Sequence, residues 1–148
     1  MAMIHGHFTR FVRYIAVLCV ILCPLSNAFA ADYIVVANKS VSVGSLSKDE
    51  LQAIFLGEKS KWDDGKPIKI VMLEDGNVHR DFLKDVVGKT PSQFESYWKR
   101  LIFTGKAVAP KSFGDMAALV DFVAGHDGTI GYVAASQGVG SVKIISIK

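Results

Sequence analysis

The sequence predicts a single α/β domain in which a β-sheet is flanked by helices. The run Tyr33–Ala37 is continuously apolar and β-branched, which is typical of a strand buried on both faces and suggests a parallel sheet. Capping boxes at 47–50 and 90–93 mark two helix starts. The resulting order is strand, helix, strand, three helices and two strands, without a repeat or an interdomain linker, as expected of one α/β domain.

The first predicted helix begins at Ser47 and ends before Gly57, because serine caps helix starts and glycine commonly follows helix ends. A surface loop over 59–67 then leads to a second apolar strand over 68–73. The turn after this strand feeds a helix predicted over 78–87. Residues 68–87 are therefore predicted to form a strand, a tight turn and a helix.

The third helix starts at Thr90, has proline at its first position and ends at Gly105. A fourth helix is predicted over 115–124, followed by strands over 128–133 and 142–147. The third helix carries an apolar stripe formed by Phe94, Tyr97, Trp98, Leu101 and Ile102. From the apolar sides of all elements we expect core positions at Phe55, Phe82, Tyr97, Trp98 and Ile130.

The first 30 residues have the pattern of a secretory signal peptide. Arg10 and Arg13 precede an apolar run over 14–23, and Ala28-Phe29-Ala30 is typical of a cleavage site. The run is shorter than the roughly 20 residues that a membrane span requires. We therefore expect cleavage after Ala30, a domain at 31–148 in the periplasm or outside the cell, and no stable membrane insertion.

Composition argues against several other functions. The chain has 17 Lys and Arg against 14 Asp and Glu, without the dense basic stripe that nucleic-acid binding needs. Both cysteines lie in the leader, so residues 31–148 have no disulfide or thiolate metal site. No motif of a hydrolase, zinc enzyme or P-loop protein is present. We expect no enzymatic activity, no metal and no cofactor.

The best candidate site is the turn at 74–80, which contains Asp75, Gly76, Asn77, His79 and Arg80. A strand feeds a helix here, so unpaired backbone N–H groups and the positive end of the helix dipole favour an anion. In this interpretation Arg80 supplies a cation and Asn77 an amide donor. The alternative is that Asn77 only caps the helix and Arg80 is a surface charge.

Two further loops are expected at the same sheet edge, because each of them follows a strand. They carry Asn38 and Ser40 after the first strand and Ser136 after the strand over 128–133. Short polar side chains at strand ends can hydrogen-bond an oxyanion, although the same residues are ordinary in turns.

Four segments in order resemble the phosphate-binding protein family of phosphate ABC transporters. They are Leu46 to Gly57, Trp62-Asp63-Asp64-Gly65, the strand over 68–71 followed by Asp75-Gly76, and Gly128-Thr129-Ile130-Gly131-Tyr132-Val133. The resemblance implies one lobe of a periplasmic binding protein type II fold, with a mixed sheet flanked by helices. It also implies a nonenzymatic periplasmic solute receptor.

The chain departs from the family pattern at the residues that grip phosphate. Asp75 and Gly76 match, but the family's arginine, serine and threonine are replaced by Leu73, Asn77 and His79.

Two hypotheses about the function follow. In the first, the protein binds phosphate or another small oxyanion, weakly, for an ABC transporter and its permease. In the second, it is an interaction or regulatory module of the cell envelope without a small ligand.

Overall fold

The computed structural model describes residues 32–148. The predicted signal peptide and its cleavage after Ala30 lie outside the described residues. The elements in chain order are β1 Tyr33–Ala37, β2 Ser45–Leu46, α1 Lys48–Phe55, β3 Lys69–Leu73, α2 Gly76–Phe82, the π-helical turn Leu83–Val87, α3 Pro91–Phe103, β4 Lys111–Phe113, α4 Met116–Gly125, β5 Thr129–Ala134 and β6 Lys143–Ile147.

The strands form one mixed sheet in the order β2-β6-β1-β5-β3-β4. β1 is antiparallel to both of its neighbours, β5 and β6, whereas the other three pairs are parallel. The mixed sheet implied by the family resemblance is confirmed. The suggestion that Tyr33–Ala37 belongs to a parallel sheet is wrong. Four of its five residues are buried because the strand lies between two others and contacts helices.

Helices cover both faces of the sheet, as two successive residues of β5 demonstrate. The Tyr132 ring stacks on Phe82 of α2 with a centroid distance of 3.9 Å. A side chain added at Gly131 would instead lie 3.2 Å from Leu119 of α4. Because successive strand residues point to opposite faces, α2 and α4 lie on opposite sides of the sheet.

Local sequence signals explain the helix starts. Ser47 accepts a hydrogen bond from the Glu50 amide and Thr90 accepts one from the Gln93 amide, and both capping boxes are complete. The helix predicted over 78–87 starts two residues earlier, at Gly76, and continues as the π-helical turn to Gly88. Neither β2 nor β4 was predicted, because strands of two and three residues are too short to show a pattern.

The predicted core is largely confirmed. Phe55, Phe82 and Ile130 are fully buried, and Trp98 is 6% exposed. Tyr97 is only half-buried, and its hydroxyl donates to the Leu56 carbonyl at 2.8 Å. Ile102, expected on the apolar stripe, is 42% exposed. The side of α3 that enters the core is therefore narrower than the stripe in the sequence.

Candidate functional site

The candidate site lies where β3 ends and α2 begins. Asp75 caps α2 with an extended backbone, but its side chain makes no capping hydrogen bond. Gly76 follows with a φ of +95°, which glycine adopts without strain. The first amides of a helix have no partner within the helix, and Asp75 does not supply one from its side chain. The start of α2 is therefore suited to an anion.

A guanidinium and an amide meet on the exposed side of this turn. Arg80 donates a hydrogen bond to the Asn77 side-chain carbonyl, and both residues are exposed. The structure thus brings together four predicted residues, Asp75, Gly76, Asn77 and Arg80, on the solvent side of one turn. Asn77 is not the helix cap, as one interpretation had it, because Asp75 occupies that position.

The side chain of His79 lies in the protein interior, unlike those of Asn77 and Arg80. The residue is 7% exposed, and its Nδ1 lies 2.6 Å from the Tyr132 hydroxyl. Burial lowers the pKa of His79, and the nearby Asp75 carboxylate only partly opposes this effect. The imidazole is therefore held in the protein interior, and a contact of His79 with a ligand stays a prediction.

Tyr132, which contacts His79, was not among the predicted site residues. Burial raises the pKa of its hydroxyl well above the ordinary value, because the buried site disfavours the charged phenolate. A tyrosine inside an apolar strand needs a partner for its hydroxyl, and this was the available signal. Through His79, Tyr132 supports the base of the turn over 74–80, which is called the α2 turn below.

Asn38 and Ser40 lie at the opposite edge of the sheet, so their assignment to the same edge is wrong. Tyr33 pairs with Ala134 and Ala37 pairs with Ile130. Because β1 runs antiparallel to β5, the end of β1 lies beside the start of β5. A shared edge would require β1 and β5 to run in the same direction.

The polar groups of Asn38 and Ser40 are also occupied. The Asn38 amide donates to the carbonyls of Val123 at 2.7 Å and Ala124 at 2.9 Å, and its carbonyl accepts from the Ser40 amide at 2.8 Å. The Ser40 hydroxyl accepts from the Gly128 amide at 3.1 Å. These side chains join the ends of β1 and α4 to the start of β5.

Ser136 lies at the same edge as the α2 turn. It follows the end of β5, which is parallel to β3, and it is exposed. Its turn is closed by a hydrogen bond from the Gln137 amide to the Ala134 carbonyl. Ser136 therefore keeps the placement that the sequence predicts, and its contact with a ligand stays a prediction.

A family model described as the PBP superfamily domain matches residues 27–143. The chain belongs to the PBP superfamily. This confirms the family resemblance in the sequence and the fold that it implies. A search of curated protein sequences finds no match.

Solved structures share the fold of this PBP superfamily domain at low sequence identity. A protein assigned as a phosphate ABC transporter substrate-binding protein from Clostridium perfringens, with bound phosphate, is 21% identical with a TM-score of 0.62, over 78% of this chain and 44% of its own. A phosphate transport receptor from Vibrio cholerae is 16% identical with a TM-score of 0.59, over 78% and 46%. PstS from Borrelia burgdorferi is 13% identical with a TM-score of 0.60, over 79% and 47%.

The PBP superfamily domain thus spans less than half the length of these three structures.

Within residues 32–148, no group of three or more His, Cys, Asp or Glu side chains is arranged to hold a metal ion. No helix in the same range is long and apolar enough to cross a membrane.

Proposed function

We propose that this protein is a periplasmic solute-binding protein that holds phosphate or another small oxyanion at the start of α2. The observation that carries the proposal is the first turn of α2, whose cap residue Asp75 makes no side-chain hydrogen bond to it. Arg80 and Asn77 lie beside this turn, in a PBP superfamily fold. In open α/β folds, ligands bind beyond the carboxyl ends of the strands. The α2 turn has this position.

The expected affinity is low. A buried arginine would give a bidentate, charge-assisted contact with an oxyanion, but the corresponding residue here is Leu73, which is buried and apolar. The attraction at a helix start contributes about 0.3–1 kcal/mol. Exposed hydrogen bonds from Asn77 and Arg80 add little, because water competes for the same groups.

The biological role that fits this proposal is delivery of the anion to an ABC transporter. The structural neighbours described above include phosphate ABC transport receptors, and the leader pattern predicts export to the periplasm. The protein would bind its solute without chemical conversion. Its partner would be the transporter's permease.

One observation favours the second hypothesis, an envelope interaction or regulatory module. Leu73 lacks the charge, and the His79 side chain is engaged with Tyr132, so two positions that match the family's phosphate contacts offer no side-chain grip. A module that contacts an envelope protein needs no such contacts.

Thermal denaturation of residues 31–148 with phosphate, sulfate and small organic anions tests the proposal. We expect little shift of Tm at micromolar phosphate and a measurable increase at millimolar phosphate. Asn77→Asp should abolish the increase, because it places a negative charge at the α2 turn. Lys84→Gln, an exposed substitution on the π-helical turn, is the control and should keep the response.

Two results would contradict parts of the proposal. A ligand at 100 times its Kd stabilises a protein by about 2.7 kcal/mol, so clear stabilisation by micromolar phosphate would show that the site is tight. Absence of any response at tens of millimolar of every anion would favour the interaction module.

A further inference from the structure

A groove with a volume of about 440 Å³ lies at the other end of β3. It is bordered by residues 68–71 at the start of β3, by the segment 106–111 that leads into β4, and by Trp98 and Phe122. The α2 turn lies beyond the opposite, carboxyl end of β3. The groove is therefore separate from the proposed oxyanion site, and its volume lies within the range of small-molecule pockets.

The charges around this groove are all positive. Lys59, Lys69, Lys106 and Lys111 border it, and no acidic residue does. Lys59 pairs with Asp63 at 3.1 Å. In the part of the chain that the structure describes, none of the other three lysines forms an ion pair. Among the described residues, Lys69, Lys106 and Lys111 therefore have no carboxylate partner.

The walls of the groove are largely apolar. Ile68, Val71, Trp98 and Phe122 contribute to them, and the Lys111 ammonium lies 4.6 Å from the centroid of the Phe122 ring. Val108 stands at the border and is 89% exposed. The groove thus presents apolar surface beside cations, which suits a ligand with an apolar body and an anionic group.

We propose that the groove binds a single anionic amphiphile, namely a carboxylate that carries an alkyl or aryl body. The carboxylate contacts Lys69, Lys106 and Lys111, and the apolar body packs against Trp98 and the neighbouring walls. A cationic amphiphile is repelled by the lysines. An inorganic anion leaves the apolar walls in contact with water, so it gains only the exposed charge interaction.

Calorimetric titration with dodecanoate below its micellar concentration tests this proposal, with tryptophan fluorescence as the second readout because Trp98 borders the groove. Dodecanol and dodecyltrimethylammonium are the matched neutral and cationic probes. We expect saturable, one-to-one binding of dodecanoate with a change in fluorescence. Binding of dodecanol should be weaker, and dodecyltrimethylammonium should not bind.

Two variants locate the site. The triple substitution Lys69→Gln, Lys106→Gln and Lys111→Gln changes only exposed side chains, and it should weaken dodecanoate binding by about tenfold because three exposed charge interactions are lost. The triple substitution Lys39→Gln, Lys48→Gln and Lys84→Gln has the same effect on net charge outside the groove and should leave the affinity unchanged.

A second approach leaves the charge intact. Ala109 is exposed and borders the groove, so Ala109→Trp should fill it and abolish dodecanoate binding. Neither this variant nor the lysine variants should alter the response to phosphate. This separates failure of the groove proposal from failure of the oxyanion proposal.

Several results would overturn the groove proposal. They are absence of dodecanoate binding, equal binding of dodecanol, equal loss in both triple variants, and full binding by Ala109→Trp. Vesicles of phosphatidylglycerol provide a final comparison. Binding to these vesicles without binding of monomeric dodecanoate would show that the lysines contact a membrane surface instead.

Discussion

Asn38 and Asn77 both follow a strand, yet the fold uses them in opposite ways. Asn38 is 5% exposed, and its side chain makes three hydrogen bonds to backbone groups. Asn77 is exposed, and its side chain is bonded to the exposed Arg80. The first asparagine therefore holds the structure together, whereas the second is accessible to a ligand.

The same contrast separates two glycines with positive φ. Gly128, with φ +73°, accepts hydrogen bonds at its carbonyl from the Trp62 indole at 3.0 Å and from the Lys69 amide at 3.1 Å. Gly76, with φ +95°, has no atom within 4 Å of the position that a side chain would occupy. The backbone around Gly128 is thus closely packed and hydrogen-bonded, whereas the space around Gly76 is open. Polar residues at a strand end indicate a binding site only where the surrounding backbone does not already take up their hydrogen bonds.

The largest expected effect comes from the matched pair Gly128→Ala and Gly76→Ala. A Cβ at position 128 would lie 2.5 Å from the Pro67 carbonyl oxygen, so this variant should lose about 3–5 kcal/mol through backbone displacement and left-handed strain. At position 76 only the strain applies, about 1–2 kcal/mol. Urea denaturation measures both values, and equal losses would show that Gly128 is as accessible as Gly76.

The asparagines provide the next pair. Asn38→Ala removes the donors to two carbonyls near the end of α4, and it should lower the free energy of unfolding by about 2–3 kcal/mol. Asn77→Ala should change it by less than about 0.5 kcal/mol, because exposed side chains contribute little to stability. Chemical denaturation measures the free energy of unfolding of both variants. A large loss in Asn77→Ala would mean that the α2 turn depends on the Arg80 contact.

The smallest effect concerns the base of the α2 turn, where His79 is buried below exposed neighbours. Its folded-state pKa is lowered from the ordinary 6.5, so the unfolded state binds the proton more readily. His79 therefore destabilises the fold as the pH decreases below 6.5, and the effect is absent at higher pH. Urea denaturation of the parent at about pH 5 should show a lower free energy of unfolding than at about pH 7.5.

The variant His79→Gln isolates this contribution. It keeps a hydrogen-bonding partner for the Tyr132 hydroxyl, and it should reduce the loss of stability between the two pH values. His126→Gln, a substitution at an exposed histidine, controls for the removal of an imidazole. A pH dependence unchanged by His79→Gln would contradict the assignment of His79 as a buried neutral side chain.

The helix starts and the main strands could be predicted because their signals are local. The bonds of the capping boxes at Ser47 and Thr90 join residues three positions apart, so both partners lie within four consecutive residues of the sequence. Gly88 likewise takes the left-handed conformation just after a helical segment. The apolar run of β1 predicted its burial for the same reason, since burial follows from side-chain type.

Strand direction and the satisfaction of polar groups were decided only by the tertiary structure. Asn38 meets Val123, which is 85 positions away, and His79 meets Tyr132, which is 53 positions away. The residues around Asn38 do not indicate these distant partners. A buried strand has the same sequence pattern whether its neighbours are parallel or antiparallel. The sequence therefore predicted the α2 turn, but the antiparallel pairing of β1 removed Asn38 and Ser40 from it.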